Sequence, residues 1–295
     1  MTVDILKIAR KNGLNLIEET AVLNESGMDF QVLFAEDENG VSWVLRKPRR
    51  PDVIQRGAYE GNILKLVQKY LPVSVPEWKI NTPELIAYPT VPGIQTGSID
   101  MNIRNYVFNI NTENLSKSFV QSLAGVMSAL HNIDHFEAAK SGVEVLSPDQ
   151  VRQSLSERMD KVKKEIGTAD DLWKRWQLWL SDDSYWPGHS SFIHGDLHPP
   201  HILIDKEEKV CGILDWTEAK VTDPGKDFVL FATIFGEKEL GYLPGEYEKS
   251  GGKVWPKMRE HIIEFKAAYG IDIAEFALIT GEDEHYIMAK QALGL

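Results

Sequence analysis

Between residues 192 and 215 the chain changes character several times, and the order of those changes fixes a loop and a hairpin together. An apolar pair, Phe192-Ile193, runs into the polar stretch His194-Gly195-Asp196-Leu197-His198-Pro199-Pro200-His201, which gives onto the apolar Ile202-Leu203-Ile204. The charged Lys206-Glu207-Glu208 follows, and then a second apolar run that closes on Ile213-Leu214-Asp215. Short branched runs on either side of a polar turn read as a β-hairpin, with strands over residues 201 to 205 and 209 to 215. One acid, Asp196, precedes the hairpin, and another, Asp215, ends it.

That spacing suits one chemistry. Phosphoryl transfer needs a carboxylate that orients a hydroxyl and accepts its proton, and a hard-cation site that neutralises charge on the phosphates. Both must converge, and a loop followed by a hairpin achieves this. Protein kinases place a His two residues before the catalytic Asp and a metal-binding side chain five after it; here those offsets give His194, Asp196 and His201. Asp196 is then the base, Asp215 the principal Mg2+ ligand and His201 the second. Any one of these residues alone reads as a capping Asp or a satisfied core histidine; the joint spacing decides for function.

The rest of the chain organises around this segment. Residues 3 to 12 have helical period with Gly13 at a C-cap position, and strand signals follow at 21 to 23, 30 to 35 and 41 to 46, the last two separated by the turn-rich residues 36 to 40. Helical spacing returns from Asp52 to about Lys69, and a further strand at 85 to 88 runs into Pro89 and Pro92-Gly93, which read as a hinge. Beyond it come helices at 115 to 131 and 170 to 180, and a capping-box start at Ser147-Pro148-Asp149-Gln150. The expected fold class is α+β with two lobes: residues 1–92, small and β-rich, and residues 93–295, larger and mostly helical with the hairpin at its centre.

These residues resemble the aminoglycoside-phosphotransferase type of kinase, whose fold is protein-kinase-like. Val44-Leu45-Arg46 looks like the strand that presents a basic residue to nucleotide phosphates, with Arg in place of the usual Lys, and Glu60 looks like the acid that pairs with it. Arg46 also has a plainer reading, as part of the surface run Lys47, Arg49 and Arg50. Asn24-Glu25-Ser26-Gly27-Met28-Asp29 lies where such kinases place the loop covering the phosphates, so Ser26 and Gly27 are nucleotide-binding candidates, although G-x-G-x-x-G is absent. Backbone groups near Ala87 and Tyr88 are where the purine is expected. Residues 24 to 30, 43 to 50 and 215 to 223, together with Trp255-Pro256-Lys257-Met258, are similar to macrolide 2'-phosphotransferases, as is a histidine at 201 where most relatives carry Asn. The resemblance spans essentially the whole chain. It implies transfer of the terminal phosphate of GTP, preferred over ATP, to the 2'-hydroxyl of the desosamine sugar of a macrolide antibiotic. It also implies that Asp227 braces the catalytic loop; Asp205 is either a similar support or a plain hairpin-turn residue. For the acceptor, an apolar molecule bearing an amine, Phe231 and Glu275 are the candidates.

Composition narrows the partners. A net charge of -12 argues against nucleic acid or an anionic membrane, which are bound through clustered Lys and Arg. Cys211 is the only cysteine, so no intrachain disulfide forms, and a reducing, cytoplasmic setting is expected. No stretch approaches a membrane span. G-x-x-x-x-G-K-[ST] is absent, which excludes a P-loop enzyme. Two rivals stay open: a kinase of the same fold acting on an aminoglycoside, choline or a sugar, and a nucleotide-binding regulatory module without turnover.

Overall fold

The computed structural model describes residues 2–25, 29–100, 102–103 and 105–295. These divide into two compact units, and the chain passes between them more than once: the first holds residues 1–110, 139–143 and 199–219, the second 111–138, 144–198 and 220–295.

The first unit is built on a five-stranded antiparallel sheet, in the spatial order Val22–Asn24, Phe30–Glu36, Ser42–Pro48, Ile86–Pro89, Ile80–Asn81. Its central hairpin turns where the polar run 36 to 40 predicts: Asp37 accepts the backbone N–H groups of Asn39 and Val41 on Oδ1, and Gly40 takes the left-handed backbone that closes the turn. Strand alternation sends Leu33, Leu45, Leu85 and Ala87 to one face, where helix Thr2–Lys11 covers them with Ile5, Leu6 and Ala9. Phe30, Val44, Ile86 and Tyr88 line a second apolar cluster with Val53 of helix Pro51–Val67. That helix carries Gly57 and Gly61, a sequence cost of about 1 kcal/mol each relative to alanine. A Cβ at these positions would stand 3.2 Å from the Ile86 side chain and 3.0 Å from the Trp78 ring, so both glycines keep the helix close to its neighbours.

The hairpin expected in the second half of the chain forms as Ile202–Ile204 against Val210–Ile213. Ile202–Ile204 also pairs with Ile94–Gln95, giving a three-stranded sheet, and this backbone pairing is why the hairpin groups with the first unit rather than with the helices. A small hairpin, Gly97–Asp100 with Asn105–Phe108, is additional to the strands read from sequence.

The second unit is helical apart from a ribbon in which Ser191–Ile193 pairs with Lys220–Thr222. Helix Lys117–His131 starts at Ser116, whose hydroxyl accepts the Phe119 N–H, and it buries Phe119, Leu123, Met127 and Leu130. Helix Pro148–Glu165 opens with the reciprocal capping box that Ser147 and Gln150 predict. A core of Met159, Val162, Trp176, Trp179, Phe265, Ile271 and Leu293 joins it to Asp170–Ser181 and to the later helices Met258–Ala267, Gly270–Thr280 and Asp283–Ala292. No helix among the described residues is long and apolar enough to cross a membrane.

Candidate active site

In the first unit, Arg46 leaves the strand Ser42–Pro48 and meets Glu60 on the helix Pro51–Val67. One guanidinium nitrogen stands 3.0 and 2.9 Å from the two carboxylate oxygens, and Glu60 is fully buried. The Arg46 guanidinium also lies 4.1 Å over the Phe30 ring. Burial works against its charge, yet Glu60, Tyr88 and Asp215 together hold the guanidinium protonated, above its ordinary value. Burial likewise pushes the Glu60 carboxyl up, and the Arg46 charge opposes that push. Tyr88 sits on the neighbouring strand with its phenol hydrogen-bonded to Arg46, and burial pushes that phenol up to about 12. Ala87 packs its side chain into the core and gives its carbonyl to the Lys79 N–H. Ser26 and Gly27 lie outside the described residues.

The hairpin of the same unit presents His201 and Asp215. The two are adjacent across its base, where the Leu214 N–H donates to the His201 carbonyl at 2.8 Å, and His201 Nε2 stands 3.9 Å from Asp215 Oδ2. Asp215 Oδ1 is engaged by the Thr217 hydroxyl at 2.8 Å, which turns Oδ2 toward the imidazole. Asp215 holds φ +58°, a left-handed backbone uncommon outside glycine, which marks a position kept against local strain. An imidazole nitrogen and a carboxylate oxygen at this separation, with 41 % of the Asp215 side chain exposed, are a fitting pair for one divalent cation, although imidazole is softer than magnesium prefers. Asp205 accepts the Glu207 and Lys209 N–H groups on Oδ1 and so closes the hairpin turn, the plainer of its two readings.

In the second unit the ribbon strand Ser191–Ile193 delivers the loop that follows it. His194 is buried, and its Nδ1 accepts the Asp196 N–H at 3.2 Å. The Asp196 side chain is 41 % exposed, with Oδ2 3.8 Å from His198 Nε2. Asp227, in the first turn of helix Lys226–Leu240, accepts the His194 N–H at 2.9 Å and the Gly195 N–H at 2.7 Å. Burial pushes the Asp227 carboxyl up, but its hydrogen bond to His131 and the backbone N–H groups outweigh that, and it lies below the ordinary aspartate value. Phe231 is buried against Phe235 one turn along the same helix. Glu275 receives Arg158 on both oxygens, so its charge is already met.

A polar loop pinned by a buried aspartate, a strained acid on a hairpin and a buried Arg–Glu pair are the parts a phosphoryl-transfer enzyme requires. A family model described as "Phosphotransferase enzyme family" matches residues 20–261. The chain belongs to this family. It is a phosphotransferase with the kinase-like fold of that family. Over 99 % of this chain and 97 % of the other, the structure is similar to the macrolide 2'-phosphotransferase of Brachybacterium faecium, with a TM-score of 0.93 and 38 % identity. A second solved structure, "Macrolide 2'-phosphotransferase type I", matches with a TM-score of 0.90 and 36 % identity over 99 % of this chain and 96 % of that one. The uncharacterized protein YcbJ of Bacillus subtilis is 51 % identical over 99 % of this chain and 95 % of its own length. An aminoglycoside phosphotransferase solved with GDP and kanamycin is 17 % identical with a TM-score of 0.78, over 99 % of this chain and 97 % of that one, a likeness of fold.

Residue-by-residue reading did not single out His131, Tyr247 or Thr217. Thr217 carried a local signal, since a hydroxyl two residues after an Asp often bonds back to it. The other two join the site through contacts between residues 96 and 116 positions apart, for which spacing gives no signal.

Proposed function

We propose that this phosphotransferase inactivates a macrolide by moving the terminal phosphoryl group of a purine nucleoside triphosphate, GTP in preference to ATP, onto the 2'-hydroxyl of the desosamine sugar. The observation that carries the reading is the full-length identity of 38 % and 36 % to two macrolide 2'-phosphotransferases, roughly double that to the aminoglycoside kinase.

Each residue then has a task. Asp196 receives the 2'-hydroxyl proton as the sugar oxygen bonds to the terminal phosphorus, while the bond from that phosphorus to the bridging oxygen breaks and the nucleoside diphosphate leaves. His194 fixes the Asp196 backbone through its Nδ1, and Asp227 pins the loop from below through the His194 and Gly195 amides. Arg46, aimed by Glu60, Phe30 and Tyr88, meets the nucleotide phosphates; Ser26 and Gly27 are proposed as further nucleotide-binding residues. Asp215 and His201 would hold a magnesium ion, which would supply charge neutralisation at the phosphates. Phe231 and Glu275 are proposed for the acceptor side. Glu275 would have to exchange Arg158 for the macrolide amine to act there.

The test is purified protein with radiolabelled GTP or ATP and a panel of macrolides and aminoglycosides. Label on macrolides alone, faster from GTP, is the expected result. Label on aminoglycosides and not on macrolides would replace the acceptor, and nucleotide turnover with neither would replace the reading.

A further inference from the structure

The brace under the catalytic loop does not end at Asp227. His131, the last residue of helix Lys117–His131, is buried; its Nε2 stands 3.1 Å from Asp227 Oδ2 and its Nδ1 2.8 Å from the Tyr247 hydroxyl. The Tyr247 oxygen in turn accepts the Lys253 backbone N–H. With that N–H on its oxygen, the phenol directs its own proton at Nδ1, which leaves the imidazole proton on Nε2, facing the carboxylate. The order is Lys253 N–H to Tyr247, Tyr247 O–H to His131, His131 Nε2–H to Asp227, and Asp227 to the His194 and Gly195 amides.

The far end of this chain is anchored as deliberately as the near end. Ser128 Oγ donates to the Ser250 carbonyl at 2.8 Å and Asn132 Nδ2 to the Gly251 carbonyl at 3.1 Å, so the last turn of helix Lys117–His131 grips the turn after helix Leu243–Lys249. The Tyr247 ring lies against the Gly252 backbone so closely that a Cβ there would fall 2.3 Å from a ring carbon; no other residue lets the ring sit where its hydroxyl reaches His131. Tyr247 is buried, and its ring packs edge-on to those of His131 and Phe228 at 5.4 and 5.3 Å. Buried polar chains in which every member is satisfied are strengthened by their low-dielectric surroundings and hold one arrangement.

We propose that Tyr247 and His131 are positioning residues for phosphoryl transfer: they hold Asp227 in the single orientation that keeps the His194 and Gly195 amides, and with them Asp196, in place. This rests on the reading of Asp196 as the base. Both side chains are buried behind the loop, so their loss should lower kcat and leave KM for nucleotide and acceptor alone.

The test uses the full chain with Tyr247→Phe, His131→Gln and His131→Leu, each checked for folding by circular dichroism and melting temperature. Tyr247→Phe, which removes one oxygen, should lower kcat by about tenfold with both KM values within about twofold. His131→Leu should lower it by about a hundredfold. His131→Gln, whose amide can still donate to Asp227 and accept from Tyr247, should recover most of that loss. Hydrogen exchange at the 194 and 195 amides should quicken in Tyr247→Phe and His131→Leu and return toward the native rate in His131→Gln, a readout that stands whatever the acceptor proves to be. Unchanged exchange at those amides in folded Tyr247→Phe and His131→Leu overturns the relay. So does an unchanged kcat in both, when Asp196→Asn is inactive in the same assay. An active Asp196→Asn overturns the base assignment instead, and the exchange result then decides the relay alone.

Discussion

Arg46 shows how much one side chain can be asked to do. A lysine ammonium is a point charge that burial readily discharges, whereas a guanidinium stays charged and offers several N–H groups in a fixed plane. Here one nitrogen serves Glu60, the plane lies over Phe30, and Tyr88 takes a further N–H, so the group is held from three sides. Arg46→Lys should therefore raise KM for the nucleotide by about tenfold, the effect of one lost charged hydrogen bond, with a smaller change in KM for the acceptor; steady-state kinetics with each substrate varied in turn checks this. Asp227 gives a pH prediction. Its carboxyl lies below the ordinary aspartate value of 3.8, so the stability it lends is complete at neutrality and is lost as pH falls through its lowered value. The difference in unfolding free energy between the native protein and Asp227→Asn should be constant near neutral pH and narrow in acid, as read from denaturant titrations across that range.

Among the elements, local rules were legible in the sequence where they act over a few residues. Ser147-Pro148-Asp149-Gln150 announced a helix start, and the structure closes both halves of its capping box. Ser147→Ala should lower the unfolding free energy by about 1 kcal/mol, measured by chemical denaturation, with kcat unchanged. The turn at 36 to 40 and the hairpin from 202 to 213 were equally legible, because polar turn residues separate branched runs. What escaped was set by distant partners. The ribbon strand Lys220–Thr222 is three residues long and exists because Ser191–Ile193 lies beside it. Gly97–Asp100 and Asn105–Phe108 have mixed polar and apolar residues that favour no period until they pair. Asp196, His201 and Asp215 stand out in the sequence by their offsets, and the hairpin that carries His201 and Asp215 forms where those offsets expect it. His131 and Tyr247 were not, because nothing local in a helix end or a tyrosine names a partner a hundred residues away.

At the scale of the whole molecule, membership of the phosphotransferase enzyme family joins these parts into an enzyme of one reaction type. A chain with net charge -12 binds a highly anionic nucleotide only where local cations outweigh that field, and Arg46 with a bound divalent ion would supply them. Ligand stabilisation then carries a signature. GTP with magnesium should raise the melting temperature more than either alone, by the equivalent of about 2.7 kcal/mol at a hundredfold excess over Kd. In Asp215→Asn the magnesium-dependent part of that rise should vanish while a smaller rise from nucleotide remains. Equal shifts in the two proteins would remove Asp215 from the metal site.

The most direct test of the central claim is to identify the atom that receives the phosphate. A macrolide incubated with GTP, magnesium and the native protein, then examined by phosphorus–proton correlated NMR, should carry phosphate on the 2'-oxygen of its desosamine. Asp196→Asn should form that product slower by about two to four orders of magnitude. Phosphate on another oxygen, or an undiminished rate without the Asp196 carboxylate, would contradict the account.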